Sequence, residues 1–182
     1  WDTPKNVVWD EPTGQWILYD RSYPTVDEPN AAGRLRVQAY TYSLTDDFLG
    51  DWAWTAPTGL NSSKDYAPDG LVVWPYEGIY LGIGNVFNPM QVAGRVPIGQ
   101  VNAVLAWSAD GRRWKWVKPN DSLIPQGGAN DFDACGIFGA KQDPLRMAKH
   151  TIPHDDDHLR LYYVGCNGPF FGSRGCGMGM AS

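Results

Sequence analysis

Apolar residues in this chain come in short runs, such as Asn6-Val7-Val8-Trp9, Gln15-Trp16-Ile17-Leu18-Tyr19, Leu71-Val72-Val73-Trp74 and Leu159-Arg160-Leu161-Tyr162-Tyr163. Turn-forming residues separate them: Glu11-Pro12-Thr13-Gly14, Ala109-Asp110-Gly111 and Asn167-Gly168-Pro169. No window of 12 or more residues repeats its apolar positions with the helical period. The pattern therefore predicts strands and almost no helix.

The runs recur. Lys5-Asn6-Val7-Val8-Trp9 aligns with Gly70-Leu71-Val72-Val73-Trp74 and with Cys135-Gly136-Ile137-Phe138; from Val7 to Val72 to Ile137 the step is 65 residues each time. A second element follows in each copy: Gln15–Tyr19, Ile79–Ile83 and Leu159–Tyr163. The third is Val37–Ser43, then Asn102–Ser108, then a shortened Gly177–Ala181. The fourth, Trp52-Ala53-Trp54 and Trp114-Lys115-Trp116-Val117, closes the first two copies. Four strands in constant order at constant spacing are the pattern of a β-propeller blade, with a β-sandwich of chance similarity as the alternative. The expected fold is all-β: antiparallel four-stranded blades over 1–65 and 66–130 and an incomplete one over 131–182, within one partial domain spanning 1–182. Propellers typically close with about 4–8 blades. Under three blades implies that the rest of a longer chain, or other chains, complete the ring.

Composition narrows the function classes. The chain has 182 residues and is 43% hydrophobic, enough to bury a core. Its 21 Gly and 14 Pro show no collagen period. No run of 18 apolar residues exists, so no transmembrane helix is expected, and no signal peptide is recognisable. A formal net charge of -5 argues against a nucleic-acid partner. Nine Trp and nine Tyr suit strands and flat stacking surfaces. The chain opens on Trp1 without a Met, as a fragment or processed chain does. Three cysteines, Cys135, Cys166 and Cys176, leave at least one unpaired; Cys166 and Cys176 flank Gly- and Pro-rich sequence and are either bridged or two buried thiols. The sequons Asn61-Ser62-Ser63 and Asn120-Asp121-Ser122 lean slightly toward a secreted location.

In a propeller, residues just ahead of each first strand converge on one mouth of the central channel. Asp2, Asp69 and Asp133 occupy that position in the three copies. Convergent carboxylates are what glycosidic cleavage needs, as nucleophile or base, acid, and stabiliser of oxocarbenium-like charge. The plainer reading is that Asp is a common turn residue. Trp1 is the candidate platform for stacking a sugar.

These residues also carry a resemblance. Trp1-Asp2-Thr3-Pro4-Lys5-Asn6-Val7-Val8-Trp9, running on into a turn and Gln15-Trp16, resembles the R-D-P-K-V-F-W segment of glycoside hydrolase family 32. Ser108-Ala109-Asp110-Gly111-Arg112-Arg113-Trp114 resembles the S-x-D-G-x-x-W turn of family 32 and 43 relatives. Leu161-Tyr162-Tyr163-Val164-Gly165 and Gly177-Met178-Gly179-Met180-Ala181 resemble their Y-Y-x-G and I-G-x-A strands, and Pro75–Tyr80 is a further shared segment. The likeness to the five-bladed propellers of families 32, 43 and 68 implies a carbohydrate partner and glycoside hydrolase-like action or binding, with Asp2, Asp69 and Asp133 as catalytic candidates. The chain departs from those families in two ways. If Asp2 matches their middle Asp, the nucleophile's blade lies outside this chain. Asp69 also stands where they carry Glu-Cys at the acid, and its side chain is one methylene shorter.

Other features carry less. His150, His154 and His158 bracket Asp155-Asp156-Asp157; the run reads as a solvated hairpin loop, with a metal site as the sharper alternative. No cofactor is expected. Glu77 falls in the first hairpin of the second blade and is expected to face away from the Asp2 mouth. Gly82-Ile83-Gly84 precedes no helix and is no phosphate loop. Trp9, Trp74 and Phe138 share one blade position, which favours packing between blades, and Trp52, Trp54, Trp114 and Trp116 are expected to be structural. Besides a sugar-directed enzyme, the sequence admits a non-catalytic binding module or a structural subunit of an extracellular assembly.

Overall fold

The computed structural model describes residues 5–22, 36–61, 67–88, 100–119, 121–138, 145–146, 159–168 and 175–182. Among them there is no helix, and every regular element is a strand. The first unit is an antiparallel meander of β1 (Asn6–Asp10), β2 (Gln15–Ser22), β3 (Val37–Tyr42) and β4 (Ala56–Asn61). The second repeats that order with β5 (Ala67–Tyr76), β6 (Ile79–Asn88), β7 (Gln100–Ser108) and β8 (Trp114–Trp116). The third comprises β9 (Gly136–Phe138), β10 (Leu145–Arg146), β11 (Leu159–Cys166) and β12 (Cys176–Ala181), with β9, β10 and β12 all antiparallel to β11. It joins the second through one parallel pair, Val101 with Gly136, giving a single eight-stranded sheet. Val7, Val72 and Ile137 thus each lie on the first strand of a unit, opposite Leu18, Ile83 and Gly165.

Burial follows from stacking. Leu71 and Val73 face the first unit, in a core with Val8, Ile17, Tyr19, Leu60, Tyr80, Ala106 and Trp114. Trp74 faces the third, with Ile83, Ala103, Ile124 and Ile137. With both of its faces covered, β5 needs a continuous apolar run, which Leu71-Val72-Val73-Trp74 supplies. In β12 exposure alternates instead, and Met178 and Met180 face solvent.

Strand glycines make room for aromatic rings. A Cβ on Gly82 would lie 2.8 Å from the Trp114 ring, and one on Gly84 would lie 2.3 Å from the Trp116 ring. These glycines therefore serve packing across β6.

The turn between β7 and β8 has the expected geometry. Gly111 has φ 69°, and Asp110 Oδ1 accepts the backbone N–H groups of Arg112 and Arg113, both at 2.8 Å. Burial works against the Asp110 charge, but those two bonds and one from the Ser108 hydroxyl outweigh it and hold the carboxyl below its ordinary range.

Several sequence expectations need correcting. The fourth strand of the first unit is Ala56–Asn61; Trp52 makes only an isolated bridge with Ser43, and Trp54 is 96% exposed. Trp52-Ala53-Trp54 carries the aromatic signature, but the longer ladder to β3 forms four residues later. Asp69 lies within β5 rather than ahead of it. Of the three residues at the shared blade position, Trp74 is buried in a core and Phe138 packs on one, while Trp9 lines an open cleft. Cys166 and Cys176, directly opposite in the β11–β12 ladder, form a disulfide with Cα atoms 4.2 Å apart, and Cys135 is free.

Candidate functional site

Trp1 and Asp2 lie outside the described residues, as do His150, His154, His158 and the aspartates between them. Asp69 and Asp133 are both placed, at the leading ends of the first strands of adjacent units. A row of paired residues, Ala67, Phe87, Val101 and Gly136, crosses β5, β6, β7 and β9 at this end. Two strands therefore separate the strand of Asp69 from that of Asp133.

Asp69 is the extra residue of a β-bulge. Pro68 pairs with Val86 and Gly70 with Asn85, so Asp69 has no partner opposite and its side chain is re-aimed. It turns to the first unit, where Oδ1 accepts from Arg21 Nη1 and from Arg36 Nη1, the latter at 2.7 Å. The Arg36 guanidinium also lies over the Phe87 ring, 5.4 Å from its centroid. Arg21 continues the buried face Ile17-Tyr19-Arg21 of β2, so a cation projects from a core face and the bulged carboxylate meets it. Opposite Arg21 stands Gln38, fully buried, its side-chain amide without a hydrogen-bond partner among the described residues.

Asp133 sits in the loop that leads into β9. Gly128 N–H donates to Asp131 Oδ2 at 2.7 Å and Asp131 N–H to the Gly128 carbonyl at 2.9 Å, which folds this loop back on itself. Asp133 is 7% exposed, and its Oδ2 accepts from the Tyr163 hydroxyl at 2.7 Å. That bond, then burial, then the Asp133 charge push the Tyr163 phenol up to about 12. Phe132 stacks on Tyr163 with centroids 6.1 Å apart and planes at 20°. A Cβ on Gly165 would come 2.3 Å from Asp133 Cβ and 2.7 Å from the Phe132 ring, and one on Gly127 would come 2.2 Å from Asp133 Oδ1. Glycine at both places lets Asp133 nest against the backbone.

Each carboxylate is therefore held by donors, Asp69 by two guanidiniums and Asp133 by a phenol. Such groups can accept hydrogen bonds from a ligand hydroxyl at their remaining lone pairs. The sequence reading missed Arg21, Arg36, Tyr163 and the two glycines. Arg21 left a local signal, as a charge in phase with the apolar face of its strand, and Tyr163 and Gly165 stand in the Y-Y-x-G segment without their partner in Asp133 being legible. Among the described residues no group of three or more His, Cys, Asp or Glu is arranged to hold a metal ion.

No protein-family model matches the chain, and no curated protein matches it in sequence. Solved structures share its fold. One is an N-acetylgalactosamine deacetylase from F. plautii in complex with blood group B trisaccharide, with TM-score 0.61 and 17% identity over 98% of this chain and 49% of that one. A glycoside hydrolase matches with TM-score 0.55 and 14% identity over 98% of this chain and 45% of its own. A complex of BT0996 with RGII matches with TM-score 0.55 and 13% identity over the same shares. The chain spans about half the length of the structures it matches, and at these identities the likeness is one of fold.

Proposed function

We propose that the chain is part of a carbohydrate-directed β-propeller and that it binds glycan at the end carrying Asp2, Asp69 and Asp133. The observation that carries this reading is the shared fold over 98% of the chain with a structure holding a blood group trisaccharide, backed by the glycoside hydrolase match. Asp133 and Asp69 supply acceptors for sugar hydroxyls, and Trp1 supplies a ring to stack on a sugar face. The ring is closed by further blades, five in all, from a longer chain or from other chains, in a secreted protein.

Binding is favoured over cleavage by the spacing. Three strand-to-strand steps between β5 and β9 amount to roughly 14 Å in a flat sheet, against about 5–10 Å between the carboxylates of glycosidases. Asp69 is also engaged in ion pairs with Arg21 and Arg36, which turn it toward the first unit. Hydrolysis is the second reading, supported by the recurrence of a carboxylate ahead of Val7, Val72 and Ile137 at nearly the repeat spacing.

The test uses the longest native chain containing this sequence, with calorimetry against neutral and acidic oligosaccharides and turnover of nitrophenyl glycosides. Binding that falls at least tenfold in Asp133→Asn, with no turnover, is the expected result. Turnover lost by orders of magnitude in Asp133→Asn establishes hydrolysis instead. Neither binding nor turnover in the wild type overturns both.

A further inference from the structure

The loop ahead of β9 presents an aromatic ring beside Asp133. Phe132 is 39% exposed, while Asp133, the next residue, is buried. The ring lies on a floor of glycines in β11 and β12. Gly165 stands opposite Gly177 and Tyr163 opposite Gly179, so these four positions share one sheet face. A Cβ on Gly165 would lie 2.7 Å from the Phe132 ring, and one on Gly177 would lie 3.0 Å from it. One on Gly179 would run into the Tyr163 ring. The two rings thus occupy the space that side chains at 165, 177 and 179 would fill.

This ring is oriented before any ligand arrives. Phe132 packs on Tyr163 with 20° between the planes, and the Tyr163 hydroxyl is bonded to Asp133, so two consecutive residues grip the same tyrosine. The loop behind them is closed by the exchange of bonds between Gly128 and Asp131 and by the Ala134 N–H, which donates to the Asp131 carbonyl at 3.3 Å. Asp131 is exposed, and among the described residues its carboxylate takes one bond, from the Gly128 N–H. A carboxylate has about four acceptor sites, so Asp131 can take more. Exposed apolar side chains are common singly and most need no ligand. Phe132 differs in being held by both the glycine floor and Tyr163, which spares a ligand the cost of ordering it.

An exposed ring with a carboxylate on the adjacent residue matches a pyranose. A six-membered chair carries several C–H bonds on one face, a flat apolar patch of phenyl width, with hydroxyl donors at its rim. A furanose ring is smaller and puckered, and its exocyclic carbons break that face. We propose that the Asp133 end takes a pyranose, with Phe132 as the stacking platform and Asp131 as the acceptor for a rim hydroxyl. This rests on the reading of that end as a glycan site and adds to it the ring form of the sugar and the two residues that select it.

The test applies the longest native chain containing this sequence to an array of gluco-, galacto-, manno- and N-acetylated pyranose oligosaccharides beside fructan and arabinan oligosaccharides, which are furanosides. Calorimetry and proton NMR follow with the strongest hit. The expected result is retention of pyranosides, with the ring C–H protons of one sugar shifted upfield in the complex by an aromatic ring current. In Phe132→Leu, which keeps apolar bulk on the glycine floor, that shift should vanish and affinity should fall about tenfold. Phe132→Tyr should keep the shift and bind as wild type, and Asp131→Ala should weaken binding with the shift retained. Retention of no glycan overturns the proposal together with the reading beneath it. Binding that Asp133→Asn weakens and Phe132→Leu leaves intact keeps that reading and overturns the platform. Retention of furanosides alone does the same, as does an upfield shift that survives Phe132→Leu and is lost in Trp1→Ala.

Discussion

The Tyr19 hydroxyl donates to the carbonyl of Gly111 at 2.6 Å, across 92 residues of chain. The same carbonyl accepts the Trp114 ring N–H at 2.9 Å, and Tyr19 and Trp114 meet edge-to-face with centroids 5.6 Å apart. The turn after β7 is thus bonded into the core between the first two units. This gives the Ser108–Trp114 segment a structural purpose, pinning one unit to the next.

Gly111→Ala should therefore be costly. Its φ of 69° strains any L side chain, and a Cβ there would lie 3.1 Å from both Ile17 Cδ1 and the Tyr19 hydroxyl. The expected loss is about 1 kcal/mol or more, read by denaturant unfolding. Stability equal to wild type would show that the turn tolerates a side chain.

Tyrosine ionisation should be split. The Tyr163 phenol titrates at about 12, raised chiefly by its bond to Asp133, and burial raises Tyr19 and Tyr80 above the ordinary value as well. In the unfolded chain a tyrosine ionises near pH 10. The folded state thus keeps these protons longer; the stability that Tyr163 brings is complete below about pH 10 and is lost as pH rises through about 12. Near-ultraviolet titration should show at least these three of the nine tyrosines ionising late, and Tyr163→Phe should remove the component near 12. A single class of nine near pH 10 would contradict the burial and the Asp133 bond.

Gly165→Ala should dislodge Asp133. The added methyl would lie 2.3 Å from Asp133 Cβ and 2.9 Å from its Cα, so the β9-leading loop must shift. A cost of about 1–3 kcal/mol is expected from such overpacking, together with a return of the Tyr163 phenol toward its ordinary value. Unchanged stability and an unchanged late tyrosine would mean that Asp133 does not rest on that glycine.

Most of the strands and their recurrence were legible in the residues alone, because alternating burial and turn chemistry act over a few positions and leave local marks; the fourth strand of the first unit lay four residues beyond its aromatic signature, and the two-residue β10 left no mark. Val7, Val72 and Ile137 are on first strands, and Asp110-Gly111 turns as its residue types require. What each strand face meets was settled only when the units packed. The bulge at Asp69 turns it toward Arg21 and Arg36, 48 and 33 residues away, and no local pattern encodes that pairing. Burial of Asp133 depends on glycines at 127 and 165, on either side of it in the chain. The open cleft that Trp9 and Tyr76 line exists because two hairpin ends about 65 residues apart, one repeat step, come side by side when the units stack. Recurrence in a sequence foretells such stacking, but only the packed units define the space left between them.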